Sequence, residues 1–465
     1  MSVGGLGPAA AACLFPGFGG TTVPDWLRRW LAEELGGVVL FARNVRDAEQ
    51  VSALCDELRA ERPGLLVATD EEGGDVTRLE AATGSSFPGN LALGAVDDVA
   101  LTRRVAAAIG GELASIGVNL DLAPVADVVV DPSAAIVGVR SFGSDPQLVA
   151  RHVAAFVDGL QGTGVAACAK HFPGHGEAVG DSHLELPVVD ANLDTLRTRA
   201  LPPFAAAVDV GVRALMTAHV RFTALGEEPA TLSPRAIGLL RSELGFDGVV
   251  MTDALEMQGV GGPGAIEESA VLAVAAGADA LCLGADLSAE HVERVHEAIV
   301  EAVRTGRLEE ERLQEAAAKV AALAAWTSPR PFSDRDAGME AARRALRVEG
   351  NPSLDGEPFV VELWPEATIA AGEAGHGLGE IFGAETIRLR ESDLLPSIED
   401  SGQTVFVVRD AHRHAWQREL VPPGAIVVET GLPEWRPPGA RAYVATHGAG
   451  RANLEAVAEL LRPQR

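Results

Sequence analysis

Short apolar runs alternate with segments of helical period over the first 330 residues. Eight runs can be counted, at residues 12–17, 37–42, 65–69, 118–124, 165–169, 214–218, 248–252 and 279–284. Between most of them, apolar positions recur every three to four residues, as in 47–59, 99–115 and 146–159. Apolar strands that alternate with helices form a parallel sheet covered by helices, and eight such units favour a (β/α)8 barrel of the TIM type.

Polar or ionisable residues follow most of these runs at the point where the predicted strand ends. In chain order they are Arg43, Asn44, Asp70, Asp127, Lys170, His171, His219 and Asp253. The C-terminal ends of barrel strands share one face, which is where active sites of this fold lie. Any strand must meet a polar loop, but that requirement explains only one or two of these positions. We therefore expect a site at this face.

The sequence pattern changes after Trp326. The segment TSPRP, residues 327–331, has the composition of a linker. Beyond it the pattern predicts three strands and a final helix, at 358–363, 404–409, 425–429 and 452–461. We predict two domains, a catalytic barrel over 1–330 and a smaller α/β domain, a three-layer sandwich, over 331–465. The second domain either contacts the active site or packs beneath the barrel.

The charge balance excludes some classes of partner. With 38 basic and 66 acidic residues, the formal net charge is -28. Such an excess of acid repels nucleic acid and anionic membrane, so we expect neither as a partner. Only Lys170 and Lys319 among the basic residues are lysines, which draws attention to Lys170 beside His171.

Several features of other protein classes are missing from the sequence. No basic residue precedes the apolar N-terminal stretch, so we expect a cytoplasmic protein without a signal peptide, with secretion by another route left open. No phosphate-binding glycine loop precedes a helix, so no organic cofactor is implied. A monomer or weak oligomer is expected. The cysteines stand singly in mostly apolar surroundings and predict buried free thiols, at Cys13, Cys55, Cys168 and Cys282.

The densest group of chemically active residues is the loop that begins with KHFPGHG at Lys170. His171, His175, Asp181 and His183 are competent metal ligands, but the lysine would repel a dication and the spacing fits no helix-borne zinc motif. Alternatively, the histidines, His175 above all, hold the loop together by hydrogen bonds. In a third interpretation, Asp181 orients His183 as a general acid and base, because a carboxylate bound to one ring nitrogen directs the other toward substrate.

A second candidate group is MTDALEM, in which Asp253 stands at the tip of an apolar strand. A carboxylate at that position is held rigidly and directed into the barrel mouth. Its alternative role is to cap the following helix.

A third candidate group is DEEGGDVTR, which begins at Asp70. Its glycine pair predicts a tight turn that could return Arg78 toward Asp70. An Asp and Arg pair can bind vicinal hydroxyls by charge-assisted hydrogen bonds, although a surface ion pair is the simpler alternative.

Five motifs in this order carry a family resemblance: DEEGGDVTR, NLDLAPVADV, RSFGSDP, KHFPGHG followed by DSH, and MTDALEM. The chain resembles glycoside hydrolase family 3, specifically its bacterial β-N-acetylglucosaminidase branch. The resemblance extends from LFPGF near the N-terminus to ALCLGA, and it weakens in the C-terminal part. KHFPGHG with a downstream DSH is the most specific of the motifs.

The resemblance implies roles for individual residues. Asp253 would be the nucleophile that forms a glycosyl-enzyme intermediate, and Asp181 with His183 would be the acid/base dyad. The residues expected to bind the sugar are Asp70, Arg78, Arg140, Lys170, His171, His219 and Met257. Glu71 departs from the family pattern, which commonly has Gln there, and we expect its charge near the sugar to affect substrate preference.

The expected function is that of a retaining, exo-acting β-N-acetylglucosaminidase in cell-wall turnover or amino-sugar recycling, with a carbohydrate substrate and no metal. The alternatives are a β-glucosidase or β-xylosidase, a phosphorylase of the same family, and a sugar-binding barrel without activity. A phosphorylase is considered because a histidine acid/base repels phosphate less than a glutamate would. Asp253, Asp181 and His183 together argue against a barrel that only binds sugar.

Overall fold

The computed structural model describes residues 5–133, 136–178, 180, 182–262, 264–284, 287–366, 376–393 and 403–462. The barrel in its first part is formed by eight short parallel strands, one in each predicted apolar run. They are β1 Leu14–Pro16, β2 Gly37–Leu40, β3 Leu66–Thr69, β4 Leu120–Asp121, β5 Ala166–Phe172, β6 Ala214–Thr217, β7 Val249–Thr252 and β8 Leu281–Leu283.

The eight strands curl into a barrel. Parallel ladders join β2 to β7 in sequence order, a bridge between Met251 and Ala280 continues to β8, and β8 pairs with β1. Between β1 and β2 the barrel wall closes by packing. The ring of Phe15 in β1 lies so close to Gly37 in β2 that a Cβ atom added to Gly37 would come within 2.2 Å of the ring. This arrangement confirms the predicted (β/α)8 fold.

Helices cover the outside of the barrel, and local sequence signals set several of their starts. Asp47, Asp98 and Asp145 each accept a hydrogen bond from a backbone amide in the first turn of the helix that follows. The helices are α1 Leu6–Ala12, α2 Asp25–Ala32, α3 Ala48–Glu61, α4 Asn90–Val96, α5 Val99–Ser115, α6 Pro146–Gln161, α7 Leu193–Thr195, α8 Pro202–Asp209, α9 Pro234–Gly238, α10 Ile266–Ala276, α11 Ala289–Arg304 and α12 Glu310–Trp326.

The barrel interior is a packed core that is closed at one end. Alternate residues of the strands point inward and form one apolar cluster, to which Val320 and Leu323 of α12 also belong. At the end of α12, the guanidinium of Arg213 lies 4.6 Å from the centre of the Trp326 ring. Because α12 covers the N-terminal ends of the strands, the C-terminal ends provide the open mouth.

A second domain follows, built on a six-stranded sheet. Its strands are β9 Arg347–Gly350, β10 Phe359–Leu363, β11 Glu385–Leu389, β12 Thr404–Val408, β13 Ile426–Glu429 and β14 Ala442–Ala445. They lie in the order β9-β14-β13-β12-β10-β11, and only the β9–β14 pair is antiparallel. The sequence pattern predicted β10, β12 and β13; it missed the other three, of which β9 and β11 carry exposed residues that weaken the apolar signal.

Helices lie on both faces of this sheet, as expected for a three-layer α/β domain. They are α13 Arg335–Ala345, α14 Leu378–Phe382, α15 Ala415–Leu420 and α16 Arg451–Leu461. Apolar residues of α14 and α16 share one core cluster with the sheet, and those of α15 share the cluster on the other face. Helix α13 packs against α4 and α5 of the barrel as well as against α16. The predicted boundary at 330 falls between α12 and α13.

The four cysteines are buried and free, which confirms that prediction. Within the described ranges, every helix is too short or too polar to cross a lipid bilayer.

Candidate active site

A large cleft of about 1630 Å³ opens at the C-terminal mouth of the barrel. Eight of the ten predicted site residues line it: Asp70, Arg78, Arg140, Lys170, His171, His183, Asp253 and Met257. Of the other two, His219 lies behind the cleft wall, and Asp181 lies outside the described residues. The strand ends therefore converge, although they are far apart in sequence.

Asp70 directly follows β3 and holds two cations. Its Oδ1 accepts a hydrogen bond of 2.7 Å from Nζ of Lys170, and its Oδ2 accepts one of 3.3 Å from Nη2 of Arg78. The chain returns to Asp70 through the predicted turn, because Gly73 and Gly74 both have positive φ. A Cβ on Gly74 would also meet the backbone of Gly89 at 2.6 Å, so that position requires glycine.

Glu72 extends this arrangement, and the sequence reasoning missed its role. Lys170 Nζ lies 2.7 Å from Glu72 Oε1, and Arg140 binds both carboxylate oxygens of Glu72 at 2.7 and 2.9 Å. The result is a chain of alternating charges, which we call the charge chain: Arg78, Asp70, Lys170, Glu72 and Arg140. The signal was present, since Glu72 stands two residues after Asp70 and therefore on the same side of an extended segment.

The members of the charge chain keep one another ionised. Burial raises the pKa of Glu72, but Arg140 and Lys170 outweigh burial and hold that pKa at about 2. Burial likewise opposes ionisation of Asp70, and Lys170 and Arg78 hold its pKa well below the ordinary value. The two carboxylates raise the pKa of Lys170 despite its burial. At neutral pH this part of the cleft therefore presents fixed charges of both signs.

Glu71 does not line the cleft, so the side chain that was expected to add negative charge near the sugar lies behind the cleft wall. Its Oε2 accepts hydrogen bonds from the backbone amides of Arg78 and Leu79, at 2.9 and 3.1 Å, while its own amide donates to Asp121 Oδ1. Burial raises the pKa of Glu71 to about 7, against the lowering effect of its hydrogen bonds. Glu71 thus fixes the backbone that carries Arg78.

His171 and His175 share Asp127 as a partner. Nδ1 of His171 lies 2.7 Å from Asp127 Oδ2, and the amide of His175 donates to Asp127 Oδ1 at 2.6 Å. With Nδ1 held in this way, Nε2 is the nitrogen of His171 that can reach the cleft. His175 Nε2 lies 3.3 Å from the hydroxyl of Ser182, and burial lowers the pKa of His175 to about 4. His175 thus binds the loop together by hydrogen bonds, in agreement with its structural interpretation.

Asp253 directly follows β7, and its Oδ1 accepts a hydrogen bond of 2.8 Å from the amide of Ala254. Burial raises its pKa, but His171, His219 and His183 more than offset burial and hold the pKa below the ordinary value. The carboxylate is therefore ionised near neutral pH, as a nucleophile must be.

His219 lies beneath this carboxylate and not against the cleft. Its Nδ1 lies 2.8 Å from the hydroxyl of Thr231, and its Nε2 lies 3.0 Å from the carbonyl oxygen of Ala254. Both ring nitrogens are thus committed to the protein, and the residue is fully buried. We therefore correct the expected sugar contact: His219 positions the segment that carries Asp253.

The loop that carries His183 lies next to the loop that follows Asp253. The amide of Gly259 donates to the carbonyl oxygen of Ser182 at 2.9 Å. Farther along, Val188–Val189 pairs with Arg221–Phe222 and fixes the far end of the His183 loop. His183 lines the cleft and is partly exposed.

The second domain forms part of the same cleft, so it does not lie beneath the barrel. Its wall includes two tryptophans and several cationic or titratable side chains, namely Trp364, His376, Arg390, Arg413, His414 and Trp416. Sequence reasoning missed these residues because none stands in a recognisable motif. Across the described ranges, no group of three or more His, Cys, Asp or Glu side chains is arranged to hold a metal ion.

The charge chain predicts a large stability cost for removing its central cation. We expect Lys170→Met to lower the free energy of unfolding by about 3–5 kcal/mol at neutral pH, because it leaves two buried carboxylates with less compensation. Asp70 and Glu72 have lower pKa values in the folded protein than in the unfolded chain. They therefore stabilise the fold at pH values above their unfolded pKa values, and this contribution is lost as the pH falls. Without Lys170 these carboxylates protonate more readily, so the deficit should shrink toward about pH 5. Chemical unfolding of Lys170→Met and wild type at neutral pH and at about pH 5 measures this difference.

The other lysine provides a matched control. Lys319 pairs with the exposed Asp247, and Lys319→Met should cost less than about 1 kcal/mol. Equal costs for the two variants, or a Lys170→Met cost that does not vary with pH, would contradict the role of the charge chain.

A second prediction concerns Glu71, whose pKa of about 7 lies above its unfolded value. A raised carboxyl pKa adds stability at low pH, and this contribution is lost as pH rises through 7. Glu71→Gln keeps an acceptor for the two amides but does not ionise. We expect it to be more stable than wild type by on the order of 2–3 kcal/mol at high pH, and to match wild type near the unfolded pKa.

Thermal unfolding at about pH 8.5 and pH 5 tests this expectation. Glu297→Gln on the exposed face of α11 is the control and should show no such pH dependence. A Glu71→Gln gain of equal size at both pH values would show that ionisation of Glu71 is not the cause.

Comparison with known proteins identifies the family of the chain. The family model "Glycosyl hydrolase family 3 N terminal domain" matches residues 21–323. A β-hexosaminidase of Nitrosomonas eutropha is 35% identical over 314 residues, which cover 65% of this chain and 90% of that protein. β-Hexosaminidase A of Pseudoalteromonas piscicida is 34% identical over 334 residues, covering 65% of this chain but only 55% of the longer relative.

A solved structure extends the likeness to both domains. The family 3 β-N-acetylglucosaminidase of Paenibacillus sp. str. FPU-7 superposes with a TM-score of 0.86 at 32% sequence identity, covering 98% of this chain and 96% of that one. The chain belongs to glycosyl hydrolase family 3.

Proposed function

We propose that the protein is a retaining, exo-acting β-N-acetylglucosaminidase. The observation that carries the proposal is an ionised carboxylate, Asp253, in the same cleft as His183 and the charge chain. The relatives named β-hexosaminidase and β-N-acetylglucosaminidase support the choice of sugar. We place the activity in the turnover of cell-wall amino sugars.

The proposed reaction has two steps. In the first, Asp253 attacks the anomeric carbon while His183 donates a proton to the departing oxygen, and a glycosyl-Asp253 intermediate forms. In the second, His183 removes a proton from water, the water attacks the same carbon, and GlcNAc is released with its anomeric configuration retained. Asp181 would orient His183 as its dyad partner.

The charge chain supplies sugar binding in this proposal. Asp70 accepts hydrogen bonds from sugar hydroxyls, and Arg78, Lys170 and Arg140 donate to them. His171 adds a ring nitrogen that Asp127 orients. Because these side chains bind one another before substrate arrives, they lose little freedom when the sugar enters, which favours tight positioning of the anomeric carbon.

The nucleophile assignment predicts a large loss of turnover in Asp253→Asn. The variant keeps the acceptor for Ala254 but has no anionic nucleophile. We expect wild type to cleave 4-nitrophenyl β-GlcNAc faster than the β-glucoside, and the variant to lose a factor on the order of 10⁴ in kcat. An activated fluorosugar should add the mass of one glycosyl group to wild type and not to the variant.

The exposed Asp194 provides the control, since Asp194→Asn should retain full activity. If Asp253→Asn kept more than a tenth of the activity, another nucleophile would be required. Assays in phosphate buffer should release free sugar, and a sugar phosphate product would instead indicate a phosphorylase.

The acid/base assignment predicts a leaving-group effect in His183→Ala. A poor leaving group needs the proton, so kcat/KM for a methylumbelliferyl or sugar aglycone should fall by about 10²–10⁴. A dinitrophenyl aglycone leaves without a proton, and its kcat/KM should change little. This ratio, measured across a series of aryl substrates, reports the first step and is independent of the second step, in which His183 acts as the base. His291→Ala on α11 serves as the histidine control. An equal loss for every leaving group would contradict the proton-donor role.

A further inference from the structure

The second domain binds the segment of the barrel that carries Arg78, and it does so at both ends of that segment. At the first end, Asp75 Oδ1 accepts a hydrogen bond of 2.7 Å from the amide of Ala449, and the same carboxylate forms an ion pair with Arg409. The backbones are in direct contact here, because a Cβ on Gly450 would meet Gly74 at 2.9 Å.

At the second end, Arg451 at the start of α16 binds Glu80. Arg451 Nη2 lies 2.9 Å from Glu80 Oε1, and Glu80 Oε2 accepts a hydrogen bond of 2.6 Å from the amide of Ser86. The amide of Ala452 donates to the carbonyl oxygen of Ser85 at 3.1 Å. Both partners of the ion pair are largely buried in the interface, with 29% and 19% of their side chains exposed.

Arg78 stands between these two attachments. Its guanidinium reaches Asp70 at 3.3 Å, which is near the limit of a hydrogen bond, so a displacement of its backbone away from Asp70 would weaken this contact. Within the barrel, Glu71 accepts hydrogen bonds from the amides of Arg78 and Leu79, and the amide of Glu72 donates to the carbonyl oxygen of Val76. The second domain adds one attachment on each side of Arg78, at Asp75 and at Glu80.

We propose that the second domain positions Arg78 in the sugar site by clamping residues 75–80 through Asp75 and Glu80. Arg451 and Glu80 lie outside the cleft, so any effect of theirs on sugar binding must pass through the clamped segment. They are positioning residues for the reaction proposed above, and the inference rests on that proposed function. The second domain thereby contributes to the sugar subsite of the barrel in addition to forming the opposite wall of the cleft.

The test is Arg451→Ala in the full chain, with Arg343→Ala as the matched control. Arg343 lies on α13 and binds Glu459 at 2.7 and 2.9 Å, away from the cleft. Glu459 is on α16, the helix that also carries Arg451. We expect Arg451→Ala to raise KM for 4-nitrophenyl β-GlcNAc about 5- to 10-fold, with kcat changed less than twofold, because a ground-state contact to the sugar is weakened. Arg451→Lys should restore part of the affinity, and Arg343→Ala should leave KM unchanged.

Calorimetric binding of GlcNAc reads the same effect without turnover, and its Kd should rise in parallel with KM. If the wild type binds GlcNAc but does not cleave the substrate, the proposed reaction is refuted. The positioning of Arg78 is then tested by comparing the Kd of GlcNAc for Arg451→Ala and for Arg343→Ala. If Arg451→Ala does not fold, Glu80→Gln removes the same ion pair with almost no change in volume. The inference is overturned if the folded variant, Arg451→Ala or Glu80→Gln, has the same KM and Kd as the control Arg343→Ala.

Discussion

The site depends on one buried ammonium group, that of Lys170, held between two carboxylates. Removing a lysine from water is costly, and the cost is recovered only where anionic partners lie at hydrogen-bond distance. Asp70 and Glu72 provide those partners at 2.7 Å each. They come from the loop after β3, and the lysine comes from β5, so the curled sheet is required to bring together strand ends that lie on either side of β4. The fold thus determines where the charges lie, and the charges determine which conformation the loop can adopt.

That loop satisfies three constraints at once. Its glycine turn returns Arg78 to Asp70, its Glu71 side chain holds the backbone from within the barrel, and the second domain holds it from outside. A loop with several independent attachments loses little entropy when substrate binds, because its conformation is already restricted. The same attachments place both domains at one cleft, because the segment that carries Arg78, to which we assign sugar binding, is also the segment on which the second domain docks.

Much of this could be predicted from sequence, for identifiable reasons. The barrel strands are buried on both faces, so each produced a continuous apolar run, and strand-end residues converge by topology alone. What could not be predicted was which neighbours each side chain selects. Nothing in the pattern distinguishes Glu71, which turns inward to backbone amides, from Glu72, which turns to Arg140. His219 followed the strand-end rule yet binds Thr231 and Ala254, because a strand end also needs hydrogen-bond partners beneath the site.

The inward direction of Glu71 also follows from charge. Arg78, Lys170 and Arg140 with two carboxylates leave the charge chain with one net positive charge. Glu71 and Asp121 lie directly beneath it, and if both were ionised the local balance would become negative and the hydroxyl-binding donors would be drawn downward. Burial raises the pKa of Glu71 to about 7 and, reinforced by the neighbouring Glu71, raises that of Asp121. Protonation of Asp121, and of Glu71 below about pH 7, therefore limits the negative charge beneath the charge chain, which favours the sugar binding proposed for its cations.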